Sequence, residues 1–146
     1  MKFNRATTAL AGLIVMGLAS TQLLWAVPSS KEELLQSVKE AVAKKDSAAI
    51  MGLFNKENTD LRMMSMSEMM VTQIVKDPIK EVSLEPLEVN FKAAIVVGDQ
   101  VYHPNIPVLG YVKFHTGGEN SVSMNMPYGE KDGSYYLAGT VKEAVQ

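Results

Sequence analysis

"VLGYVKFHTGGENSVSMNMPYGEKDGSYYLAGTV", residues 108–141, reads as three short strands divided by two turns. In its middle run Val122, Met124 and Met126 alternate with Ser121, Ser123 and Asn125, the period of two that sends apolar side chains to one face of a strand and polar ones to the other. In the last run Tyr135, Leu137 and Gly139 fall on one face and Tyr136 and Ala138 on the other. "GGEN" (117–120) and "GEKDG" (129–133) separate the runs. Their glycines allow positive φ, and Glu130, Lys131 and Asp132 keep the second turn in water. Connections this short force neighbouring strands to be antiparallel, so the stretch predicts a three-stranded meander.

Working back from the meander, the β texture starts at Val82. "LEVNF" (87–91) alternates Leu87, Val89 and Phe91 with Glu88 and Asn90, and "AAIVV" (93–97) is a continuous apolar run ending in the turn signal Gly98-Asp99. Two arrangements fit residues 92–107 equally: two strands with a turn at Gly98-Asp99, or one bent strand and a loop.

Before Val82 the period changes to that of helices. Ser30-Lys31-Glu32-Glu33 has the spacing of a capping box, and Leu34, Leu35, Val38, Ala41 and Val42 then share one side of a helix. Asp46 is placed to cap a second, shorter helix containing Ile50, Leu53 and Phe54. A third helix is expected from about Asp60 to Lys76, ended by Asp77-Pro78 because the residue before proline avoids the helical region. Helices followed by an antiparallel sheet make an α+β order.

Residues 1–26 have the layout of a secretory signal peptide: Lys2 and Arg5 at the start, then an uncharged apolar stretch from Ala9 to Ala19. Thr8, Ser20, Thr21 and Gln22 leave that stretch shorter than the roughly 20 residues a bilayer needs. Cleavage fits after Ala19 or after Ala26, and Ala26 is favoured because Val27, Pro28, Ser29 and Ser30 look like an exposed lead into a helix. An exported protein, periplasmic or secreted, with one α+β domain over residues 27–146 and no membrane contact after cleavage is expected. About 120 residues can bury a core without staples, in keeping with the absence of cysteine, which also excludes disulfides, thiolate nucleophiles and zinc-thiolate sites. The formal charge is -2 and there is no basic block, which argues against nucleic acid as a partner.

The stretch Val42-Ala43-Lys44-Lys45-Asp46-Ser47-Ala48-Ala49-Ile50-Met51-Gly52-Leu53-Phe54 resembles the opening helical hairpin of the nuclear transport factor 2-like superfamily, where a helix, an Asp- or Gly-centred corner and a short helix ending in an aromatic recur. A third helix and a long curved antiparallel sheet follow in that superfamily too. The resemblance implies a cystatin-like cone with three N-terminal helices packed on a curved sheet and a pocket between them. Members include enzymes such as ketosteroid isomerase and scytalone dehydratase, as well as binding modules and dimeric scaffolds, so the resemblance implies an architecture and the site must decide the function.

"RMMSMSEMM" (62–70) holds five of the ten methionines. At about 100° per residue, Met63, Met66, Met70 and Ile74 form one stripe, Met64, Val71 and Val75 an adjoining one, and Met69 points elsewhere. Thioethers standing in for leucines explain the stripe. A periplasmic copper binder is the alternative, since thioethers suit Cu(I) and Met63-x-x-Met66 and Met66-x-x-x-Met70 could share an ion, but any apolar stripe produces these spacings. His103 and His115, the only histidines, are too few for a zinc site. A ketosteroid-isomerase-like enzyme would need a carboxylate base and a tyrosine donor across an apolar pocket. Asp99, Tyr102, Tyr111, Tyr128 and Tyr135 are available by type, yet none matches that family's catalytic pattern. No catalytic residue, metal or cofactor is therefore expected. The expected function is a small binding or interaction domain whose pocket, lined by Met63, Met66, Met70, Tyr111, Met124 and Met126, takes an apolar small molecule, with a homodimer forming through the sheet face.

Overall fold

The computed structural model describes residues 26–144; the expected signal peptide, apart from Ala26, lies outside the described residues. Three helices come first, α1 (Lys31–Ala43), α2 (Ser47–Gly52) and α3 (Leu61–Lys76). Ser30 and Asp46, the caps expected from the sequence, open the first two, and Asp60 caps the third. Ser30 Oγ accepts from the Glu33 amide at 3.1 Å, Asp46 Oδ1 from Ala49 at 2.9 Å, and Asp60 Oδ1 from Met63 at 3.0 Å. Such caps satisfy amides that have no partner within the helix, each contributing about 1 kcal/mol. The reciprocal half of the capping box is shifted by one residue, because Glu33 reaches back to the amide and hydroxyl of Ser29 rather than to Ser30. Those bonds hold the Glu33 carboxyl below the usual carboxylate range. At the far end of α3, Asp77 is extended at ψ 152° ahead of Pro78 and ends the helix.

Seven strands follow: β1 (Ile79–Pro86), β2 (Ile95–Val97), β3 (Gln100–Pro104), β4 (Val108–Thr116), β5 (Ser123–Lys131), β6 (Ser134–Leu137) and β7 (Thr140–Lys142). β4, β5 and β6 are the meander, and β1 pairs with the other side of β4, giving the order β1-β4-β5-β6 with all neighbours antiparallel. A second sheet runs β2-β3-β7. Together they curl into an antiparallel half-barrel against the helices.

Three expectations need correction. Residues 87–91 are not a strand: β1 stops at Pro86, Phe91 donates its amide to Glu88 O at 3.0 Å in a turn, and Val89 is fully exposed. Alternation assigns faces, but a strand also needs a neighbour for its backbone groups, and the pairing with β4 has run out at Pro86–Gly110. The β region begins at Ile79 rather than Val82. The last strand of the meander is broken at Ala138-Gly139, where the chain leaves one sheet for the other. The open choice over residues 92–107 resolves into two strands, with Gly98 at φ 65° in the turn between paired Val97 and Gln100.

The core lies between the helices and the concave face of the first sheet. Register rows Leu84–Val112–Met126 and Val82–Phe114–Met124 face inward, with Val112, Phe114, Met126 and Leu137 packed against Leu34, Val38, Ile50, Val71 and Ile74. Each such side chain contributes roughly 1.5–3 kcal/mol through burial. The intervening rows, Glu81–His115–Ser123 and Ser83–Lys113–Asn125, face outward. The segment ahead of α1 is tied in as well: Pro28 is buried, and its carbonyl accepts from the Tyr135 amide at 2.8 Å.

The segment between α2 and α3 runs alongside the chain where it switches sheets. Phe54 forms a parallel bridge with Leu137. Asn55 N donates to Leu137 O at 2.9 Å, and Asp60 N donates to Thr140 O at 2.8 Å. Gly139 sits at this corner because nothing larger fits: a Cβ there would lie 2.3 Å from Thr59 Cγ2 and 2.4 Å from the Asn55 carbonyl oxygen.

Candidate functional site

Beside this corner the helices and the sheet separate, leaving a cleft of about 340 Å³. One wall is Met63, Met66, Ser67 and Met70 of α3, with Phe54 from the segment before it. The opposite wall is Asn125, Met126 and Pro127 of β5 together with Ala138, Gly139 and Thr140, and the second sheet contributes Ile95 and Pro104.

The helical wall follows from how α3 is rotated. Its deeply buried residues are Val71, Ile74 and Val75, so the face turned to the core is centred on them. Met70 and Met66 lie roughly 90° and 130° round from that centre at 100° per residue. They are 36% and 46% exposed, whereas Met63 is 8% exposed. The stripe of thioethers is thus split: Met63 and Ile74 pack, while Met66 and Met70 form an accessible shoulder. Met69 points away and is 73% exposed. The expectation that the methionines simply fill a core holds for Met63 and not for this shoulder.

Of the six residues expected to line a pocket, Met63, Met66, Met70 and Met126 meet in this one cleft. Met124 faces inward beside Phe114 but borders a separate depression with Asp77, Pro78, Thr116 and Val122. Tyr111 is on the other face of the sheet, because Val112 and Phe114 take the inward positions of β4. There it meets Phe91 edge to face, the centroids 5.7 Å apart, and burial followed by nearby Glu88 raises its pKa. Phe54, Ile95, Pro104 and the Ala138–Thr140 corner were absent from the sequence reading. Small residues interrupting the strand pattern at "LAGT" were the one available signal for the corner.

The cleft has little chemistry of its own. Among the described residues, no carboxylate, histidine, lysine, arginine or tyrosine lines it. Its hydroxyls are Ser67, which donates to Met63 O at 3.1 Å within the helix, and Thr140. The groups offered for catalysis are dispersed. Asp99 lies exposed at the β2–β3 turn, where a hydrogen bond from Gln100 holds its carboxyl below the usual range. His103 Nε2 is 3.6 Å from Glu143 Oε2 at the surface, and His115 Nδ1 is 3.0 Å from Ser123 Oγ on the outer face. Tyr128 is buried in the core; burial, then Tyr135 and Glu32, raise its pKa and keep it a neutral phenol. Among the described residues no three His, Cys, Asp or Glu side chains group to hold a metal, and no helix is long and apolar enough to cross a membrane.

No protein-family model and no curated protein matches the chain. Among solved structures, a candidate NTF2-like transpeptidase from Campylobacter jejuni is similar over 74% of this chain and 97% of its own, at 15% identity and a TM-score of 0.38. A SEC-C motif containing protein from Rhodopseudomonas palustris is similar over 81% of this chain and 80% of its own, at 20% identity and a TM-score of 0.37. The architecture is three helices on a strongly curled antiparallel sheet, the α+β order expected from the sequence.

Proposed function

We propose that this is an exported, non-catalytic binding domain that takes an apolar small molecule into the cleft between α3 and the sheet. The observation that supports this is an open cleft walled by thioethers, aliphatic side chains and Phe54, without a titratable group. Apolar concavities with few polar groups are the usual form of small-molecule sites, and methionine walls conform to varied shapes. Export rests on the signal-peptide layout of residues 1–26. Titration with the apolar fluorophore N-phenyl-1-naphthylamine tests the reading. Binding should be saturable in the parent and lost in Ser67→Phe, which fills the cleft from a half-exposed helical position. Equal binding by both would place the site elsewhere.

One observation favours a soft-metal reading: Met126 on β5 joins Met63, Met66 and Met70 of α3 around the same space, and three or four thioethers suit Cu(I) or its surrogate Ag(I). Met66→Leu and Met126→Leu separate the two readings, since leucine preserves an apolar wall and removes a ligand. Silver binding lost in these variants supports the metal; fluorophore binding retained in them supports the apolar ligand.

A further inference from the structure

The methionines around the cleft differ sharply in access, and thioether sulfur is the one oxidisable group in its walls. We propose that Met66 and Met70 are oxidation sites through which a peroxide closes the cleft to apolar ligands; the proposal rests on the cleft being the ligand site. The two residues are one helical turn apart on the same wall and are 46% and 36% exposed, whereas Met63 and Met126 beneath them are 8% and 1% exposed. A peroxide reaching the cleft therefore meets the shoulder first.

The sulfur of either residue attacks the O–O bond of hydrogen peroxide. An S–O bond forms, the O–O bond breaks, and the released hydroxide takes the proton of the sulfur-bound hydroxyl and leaves as water. Sulfur loses two electrons and the peroxide gains them, so no further co-reactant is needed. The product is a polar, chiral sulfoxide, reversible by methionine sulfoxide reductases. Its oxygen needs a hydrogen-bond donor when water is excluded. The donors in the described lining are Ser67, which already donates to Met63 O, and Asn125 and Thr140 on the opposite wall, from which a ligand lying between the walls would separate the new oxygen. A ligand covering an oxidised shoulder would bury that oxygen unpartnered, and would bind at least about tenfold more weakly.

Met69 is an internal control. It is more accessible than either shoulder residue at 73% exposure, and it does not line the cleft. Its oxidation should come first and leave binding unchanged.

The test is stepwise oxidation of the full-length protein with hydrogen peroxide, with peptide mass mapping and N-phenyl-1-naphthylamine titration at each step. Affinity should hold while only Met69 is oxidised and fall at least tenfold as Met66 and Met70 become sulfoxides. Treatment with methionine sulfoxide reductase and a thiol should restore it. The affinity of the Met66→Leu/Met70→Leu double variant, whatever its value before peroxide, should be the same after it. Unchanged affinity with both shoulder residues oxidised would overturn the proposal, as would an equal loss in the double variant. A parent that does not bind the fluorophore before oxidation would overturn the cleft reading and this proposal with it; binding that survives oxidation overturns only the latter.

Discussion

Asn105, just past β3, donates through Nδ2 to the Asn55 carbonyl oxygen at 2.8 Å and to Asn55 Oδ1 at 3.0 Å, joining the second sheet to the segment that leads into α3. The same amide reaches Glu57 O at 3.0 Å, while the Asn105 backbone amide donates to Gly139 O at 3.0 Å. One residue thus ties together three parts of the chain, its side chain holding residues 55–57 and its backbone amide Gly139. Its Oδ1 is buried without a protein partner. Asn105→Ala removes the donor to the Asn55 and Glu57 carbonyl oxygens, while Asn55 Oδ1 keeps the Glu57 amide at 3.0 Å, and should cost about 1–3 kcal/mol in urea unfolding. A change below about 0.5 kcal/mol would show that the bridge is dispensable.

Gly139→Ala places a methyl group against the Asn55 carbonyl and Thr59. Backbone cannot yield as a flexible side chain can, so overpacking of about 1–3 kcal/mol or more is expected. Because Gly139 also walls the cleft, fluorophore affinity should fall with stability. A variant as stable as the parent would contradict the corner geometry.

Titration of Tyr128 should appear as a loss of stability in alkali. Its pKa is raised in the fold, so above the ordinary tyrosine value of about 10 the unfolded chain releases the proton first. Its contribution is whole below that pH and is lost as the pH rises through the folded value. Tyr128→Phe should flatten this alkaline limb in thermal unfolding between about pH 9 and 11. Glu33 works in the opposite sense: its lowered pKa makes its contribution present above the ordinary glutamate range and lost as pH falls through the folded value. Glu33→Gln should therefore flatten the acid limb and leave the alkaline one unchanged.

Self-association through the convex face of the first sheet should be weak. Its rows carry Glu81, Lys113, His115, Ser123 and Asn125, and charged residues are depleted at the centres of stable interfaces. Sedimentation should show a dimer fraction that shrinks with dilution and salt. A dimer that persists at nanomolar concentration and high salt would contradict this account of the face.

The helices were legible because their signals are local: Ser30, Asp46 and Asp60 cap where their side chains stand just before an apolar period, and Pro78 ends α3. The meander was legible for the same reason, its reversals being signalled by "GGEN" and "GEKDG", although in the second only Asp132-Gly133 turn and Gly129 to Lys131 belong to β5. What failed depended on partners distant in sequence. Leu87 to Phe91 alternate properly and yet have no strand beside them. Tyr111 was assigned to the pocket by residue type, and only the register with Pro127 and Glu85 puts it on the convex face. For the methionines, helical periodicity grouped Met63, Met66 and Met70 correctly, but how far the sheet extends over α3 decides which of them water reaches, and that is a tertiary quantity.

The most direct test is a methyl NMR titration of protein labelled with [13C]methyl-methionine, using N-phenyl-1-naphthylamine as ligand. The ε-methyl signals of Met63, Met66, Met70 and Met126 should shift together to saturation with one dissociation constant, while those of Met69 and Met124 stay in place. Shifts confined to Met69 and Met124, or spread over all the methionines without saturation, would contradict a ligand site between α3 and the sheet.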